Sequence, residues 1–131
     1  MRGDGFYRFQ EIIEIYMRLM LTALEQTGSH IHFRGIAKIG SKTEWPAWHP
    51  TKSEISRLGV PTYVAPGPDN PMGSRAMYLY SGGKDTLFRI HGTNQPEYIG
   101  QAISSGCIRM LNEDVIDLYN RVPMGAKVIV I

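Results

Sequence analysis

"RAMYLYSGGKDTLFRIHG", residues 75–92, decides the fold. "RAMYLY" reads as a strand, "SGGKD" as a turn and "TLFRIHG" as a second strand. Upstream, "HIHFRGIAKIG" at 30–40 alternates imperfectly around Ile31, Phe33, Ile36 and Ile39, which predicts one or two short strands. Between them, prolines at 46, 50, 61, 66, 68 and 71 exclude a central strand over most of residues 41–74. That segment reads as a long irregular loop with a helical turn near 52–58. Long ordered loops of this kind are uncommon and often functional.

Downstream, Asn112 is a plausible helix cap, with Glu113 and Asp114 in the first turn. Val115, Leu118 and Tyr119 share one face of that helix, and "PMG" at 123–125 ends it. "AKVIVI" at 126–131 is apolar enough to predict a central strand. At the other end, residues 9–25 carry an amphipathic stripe of Ile12, Tyr16, Leu19 and Ala23, widened by Ile15, Met20 and Leu24. "TGS" at 27–29 stops that helix. The sum is a mixed, mainly β domain with minor helices.

The totals agree with a folded domain. The chain has 131 residues, 43% hydrophobic and 20% charged, which is enough for one modest core and unlike a disordered segment. A net charge of +2 is too small to point to nucleic acid, and the basic residues are scattered without aromatic interleaving. A single cysteine forms no internal disulfide and no CxxC metal site. No run of 18 apolar residues marks a membrane span.

That cysteine, Cys107, lies in "SSGCIRMLNED", residues 104–114, and "RIHGTN" at 89–94 precedes it. A thiolate attacks amide and ester carbonyls, but near neutral pH it needs a depressed pKa or a nearby base. Histidine is the residue that takes a thiol proton and returns it to a leaving amine. His91 ends a strand and precedes Gly92, where backbone comes close. Cys107 follows Ser104, Ser105 and Gly106, a small-residue turn whose N–H groups could face an oxyanion. Arg109 is placed either to hold a carboxylate or to serve structure. A buried, inert thiol is the competing reading of Cys107.

Other candidates are weaker. His30 and His32 share a strand face but lack a third ligand, so neither metal nor cofactor is expected. Trp45 and Trp48, beside His49, read as satellite core or as the wall of a groove.

From about Phe33 to Ile131 the chain resembles the L,D-transpeptidase catalytic domain, or YkuD domain. The family pattern is histidine with glycine or serine, a spacer, then serine-histidine-glycine-cysteine and a hydrophobic-arginine or hydrophobic-asparagine pair. "HGTNQPEYIGQAISSGCIRMLNEDV" fits it nearly throughout. "EWPAW", "GPDNPMGSRAMYL" and "NRVPMGAKVIVI" are similar to the periplasmic, Gram-negative branch.

The resemblance implies an L,D-transpeptidase-like β-sandwich over residues 29–131, preceded by an atypical helical segment at 1–28. It implies that Cys107 attacks the L-centre carbonyl of meso-diaminopimelate in a peptidoglycan tetrapeptide stem, with release of D-Ala. An amine of a second stem, or of an outer-membrane protein, then resolves the acyl-enzyme. Carbapenems would acylate the same cysteine. By the same resemblance His91 is the general base, oriented by the Gly92 carbonyl, and the backbone N–H groups of Gly106 and Cys107 form an oxyanion hole. Arg109, Ser105, Asn70 and Gly73 belong to the substrate side.

Two departures stand out. Ser105 occupies the position of the family's second histidine, which implies altered substrate positioning or cysteine pKa. Residues 1–28 read as helix where relatives open with strands. "EIIEIYMRLMLTALEQTG" at 11–28 also lacks the pattern of an export signal, so a periplasmic protein would start upstream of Met1. Two alternatives fit the same residues: an L,D-carboxypeptidase or endopeptidase using the same site, and a non-catalytic peptidoglycan-binding domain.

Overall fold

The computed structural model describes residues 35–99 and 107–130. The helix expected at 9–25, His30, His32 and the turn Ser104–Gly106 lie outside these described residues.

In chain order the elements are β1 (Gly35–Glu44), α1 (Lys52–Leu58), β2 (Arg75–Ser81), β3 (Lys84–His91), a 3-10 turn at Pro96–Tyr98, β4 (Ile108–Arg109), α2 (Asn112–Arg121) and β5 (Lys127–Val130). The strands form one mixed sheet in the order β4-β3-β2-β1-β5. β1–β2, β2–β3 and β1–β5 pair antiparallel. β3 and β4 pair parallel. A parallel pair needs a crossover rather than a tight turn, and residues 92–107 supply it. The class is therefore the mainly β domain with few helices that the sequence indicated. Among the described residues it is one sheet with α2 laid against one face.

The β2–β3 hairpin closes where Ser81 pairs with Lys84. Gly82 and Gly83 both take positive φ, 59° and 77°, which a two-residue hairpin turn requires and which side chains resist. Alternation along the strands then sorts residues onto two faces. Ala37, Ile39, Met77, Leu79, Ile90 and Val128 face Val115 and Leu118 of α2, with Met110 closing the cluster. Gly40 interrupts the register of β1, and the Tyr80 ring occupies the space a Cβ would fill there.

Lys42 also projects to the helix side. Its Nζ donates to the carbonyls of Tyr119 at 2.6 Å and Val122 at 2.7 Å, and it lies 4.1 Å from the centroid of the Tyr119 ring. The last carbonyls of a helix lack partners within it and carry its negative pole, so a lysine there satisfies both needs.

Two local expectations change. β5 is the outer strand of the described sheet, not a central one. Val128 of this strand reaches the core, whereas Ile129 is 53% exposed opposite Ile36. Asn112 is not the helix cap: Leu111 holds that position without a side-chain bond. The Asn112 carboxamide is used elsewhere.

By contrast, α1 begins where the sequence placed a helical turn. Thr51 and Glu54 form a reciprocal capping box, and Gly59 ends the helix in the left-handed region. Around it, the 45–74 loop is closed at its base by the Trp48–Val64 bridge and the Trp45 N–H to Ser74 carbonyl bond of 2.8 Å.

Candidate active site

His91 is the last residue of β3, and Arg109 faces it across the parallel pair. Ile90 and Ile108, one residue back, turn to the core side. Alternation therefore puts His91, Arg89 and Arg109 on the opposite face. Cys107 continues that pattern one step before β4 and stands beside Arg89. His91 and Cys107 are thus diagonal neighbours on the same face of adjacent strands.

The imidazole is 6% exposed. Its Nδ1 lies 2.5 Å from the Gly92 carbonyl oxygen. A carbonyl only accepts, so Nδ1 carries the proton, and Nε2 of the neutral ring is the nitrogen able to take one. Burial lowers the His91 pKa to about 4 and outweighs the Gly92 and Met72 backbone contacts that favour the charged ring. The positive charges of Arg109 and Arg89 lower it further.

Cys107 is partly buried. Burial pushes its thiol above the ordinary cysteine value, and the Glu54 carboxylate acts the same way. The Arg89 backbone N–H, directed at the sulfur, and the guanidinium groups of Arg89 and Arg109 oppose this without overcoming it. The resting pair is a neutral thiol and a neutral imidazole, so proton transfer must accompany attack.

Arg109 is 7% exposed, and its Nη2 donates to the Tyr98 carbonyl at 3.1 Å. It therefore anchors the crossover. Arg89 is held on its own strand by two bonds to Asp85, at 2.6 and 3.0 Å, and lies 4.5 Å from the centroid of the Tyr78 ring. The sequence reading missed Arg89, although its place two residues before His91 on a strand assigns it to the same face.

Asn70 is 1% exposed. Its Nδ2 donates to the carbonyls of Val64 and Ala65 at 3.1 and 3.0 Å, and its Oδ1 accepts from Met72 N–H at 2.8 Å. Its amide thus shapes the loop from within. Gly73 has φ 68° and packs so closely on Thr93, Gly92 and Asn112 that a Cβ has no room. The His49 and Tyr63 rings meet in a tilted contact, centroids 5.2 Å apart, within the same loop, and Trp45 is 44% exposed. Among the described residues no group of three potential ligands could hold a metal.

The family model for the L,D-transpeptidase catalytic domain, YkuD, matches residues 23–130. A Fuscovulum blasticum protein named for an L,D-transpeptidase in the ATP synthase subunits region is 41% identical over 98 residues, 75% of this chain and 50% of its own length. "Probable L,D-transpeptidase ErfK/SrfK" of Escherichia coli is 38% identical over 111 residues, 81% of this chain and 34% of its own. The chain thus spans half or less of these relatives. The "Ldtfm-avibactam carbamoyl enzyme" structure shares the fold at a TM-score of 0.52 and 23% identity, covering 76% of this chain and 35% of that one. With the family model matching most of its length, the chain belongs to the L,D-transpeptidase catalytic domain family.

Proposed function

We propose that this chain carries a cysteine acyl-transfer site acting on peptidoglycan stems in the periplasm, with residues 29–131 as the catalytic domain. The observation that carries this reading is a buried neutral imidazole, its Nδ1 fixed by Gly92, on the same sheet face as Cys107. Family membership supplies the substrate class.

Nε2 of His91 takes the thiol proton as the Cys107 sulfur bonds to the L-centre carbonyl carbon of meso-diaminopimelate. The oxyanion is met by the backbone N–H groups of Gly106 and Cys107. As the tetrahedral adduct collapses, the C–N bond to D-Ala breaks and the imidazolium returns the proton to that amine. A thioester remains. An amine of a second stem attacks it, His91 accepts that amine's proton, and the thiol is restored. This gives a cross-link between the third residues of two stems. Arg109 acts by holding the crossover, and Asn70 and Gly73 by shaping the donor-side loop. Ser105 replaces a second imidazole with a shorter, uncharged neighbour.

Intact mass after incubation with a carbapenem tests the assignment. A one-to-one adduct is expected, lost in Cys107→Ala and slowed in His91→Ala. No adduct in a folded sample overturns it. Purified tetrapeptide muropeptides then separate transfer from hydrolysis: dimers for an amine acceptor, tripeptides for water.

A further inference from the structure

Asn112 is the side chain that ties the candidate base to the rest of the fold. Its Oδ1 accepts from the Ser74 N–H at 3.0 Å and from the Thr93 N–H at 3.2 Å. An amide oxygen has two acceptor sites, and both are filled. Ser74 and Thr93 are 1% and 5% exposed, so water does not readily replace this acceptor. The backbone makes space for it: a Cβ on Gly73 or on Gly92 would strike the same Oδ1. The Ser74 hydroxyl contacts the Asn112 carbonyl at 3.4 Å, and Met110 N–H donates to the His91 carbonyl at 2.9 Å. The start of β2, the exit of β3 and the start of α2 therefore meet around one carboxamide.

The Thr93 N–H and the Gly92 carbonyl belong to one peptide unit. That unit is planar, and in its trans form the two groups point in opposite directions. Asn112 holds the N–H end, and His91 Nδ1 meets the carbonyl end. Fixing one end aims the other. The bonds also run in one sense, from Nδ1–H to the Gly92 oxygen and from the Thr93 N–H to Oδ1, so each polarises the next.

We infer that Asn112 is a positioning residue which, through the Gly92–Thr93 peptide, holds His91 in the tautomer with its proton on Nδ1. This rests on the reading of His91 as the base, but the tautomer can be measured without any substrate. The arrangement does through a peptide group what a directly bonded acceptor does elsewhere: it assigns the ring proton to Nδ1, so that Nε2 is the nitrogen without one.

The test is ¹⁵N NMR of the His91 ring in the full chain, in wild type, Asn112→Ala and Asn112→Asp, with carbapenem acylation rates alongside. Wild type is expected as the pure Nδ1–H tautomer near neutral pH. Asn112→Ala should mix the tautomers and slow acylation about tenfold, the scale of one lost buried hydrogen bond. Asn112→Asp keeps the acceptor, so it should restore the tautomer and raise the His91 pKa by placing charge at the end of the relay. A folded Asn112→Ala with the wild-type tautomer overturns the inference. If Asn112→Ala does not fold, an Asn112→Asp protein with an unmoved His91 titration overturns it instead. A correct tautomer response with no acylation in any variant would sink the transfer reading and leave the positioning role standing.

Discussion

His91 stands directly opposite Arg109 across the parallel β3–β4 pair. A buried imidazole beside a permanent cation has every reason to stay neutral. Its pKa of about 4, against an ordinary 6.5, follows first from burial and then from charge. Below pH 4 the folded and unfolded chains both carry this proton, and above 6.5 neither does. Between those limits only the unfolded chain binds it. Stability should therefore be complete above pH 6.5 and fall as pH drops towards 4, by about 3 kcal/mol at about 1.4 kcal/mol per pKa unit. Urea midpoints from pH 4 to 7 check this, and His91→Gln should flatten the slope. An unchanged slope in His91→Gln would assign it to other groups.

The thiol gives a second pH signature. With the Cys107 pKa raised by burial, thiolate is scarce near neutrality. Iodoacetamide alkylation should rise about tenfold per pH unit between 7 and 9, with no plateau. Arg89→Gln removes a nearby cation and should slow alkylation further at each pH. A plateau below pH 7 would instead reveal a preformed thiolate-imidazolium pair.

How much of this was legible follows from what each element depends on. The β2–β3 hairpin was readable because its turn chemistry, Gly82 and Gly83, is local. The turn near 52–58 was readable for a similar reason, since its caps Thr51 and Gly59 flank it in sequence. β5 reads as central in the sequence and is the outer strand among the described residues, because an apolar run looks the same in either position. Ile129 and Ile36 face each other with more than half of each exposed, which no one-dimensional pattern reveals. Asn112 was misread because capping propensity is local, while its actual partners are Ser74 and Thr93, far away in sequence. Cys107 and His91 are paired by thiol and imidazole chemistry in the sequence, and the family resemblance adds their roles. Their shared face follows only once β3 and β4 are known to run parallel in that register.

Lys42 offers a test of packing away from the site. Lys42→Met keeps much of the apolar stem but removes the donor to the Tyr119 and Val122 carbonyls. Charged hydrogen bonds of this kind contribute about 1.5–3 kcal/mol. The side chain is also at the favourable pole of α2. We expect a loss of about 2 kcal/mol in chemical denaturation, with the m-value unchanged. A loss below about 0.5 kcal/mol, the range of ordinary surface substitutions, would mean the carbonyls are equally well served by water.

The glycines provide the sharpest contrast, because two of them share a backbone sign but not an environment. Gly82 has φ 59° with open space around it, and Gly73 has φ 68° with Thr93, Asn112 and Gly92 against it. Gly82→Ala should cost only the left-handed strain, about 1 kcal/mol. Gly73→Ala adds a methyl group that can be housed only by parting β2 from the Gly92–Thr93 peptide. It should therefore cost well over 3 kcal/mol, adding overpacking to lost bonds of Asn112. If the variant still folds, His91 should lose its fixed tautomer, whereas Gly82→Ala should leave that ring unchanged. Paired melting curves and the His91 ¹⁵N spectrum measure both effects. Equal costs at the two positions would show that the close approach around Asn112 is loose enough to open freely.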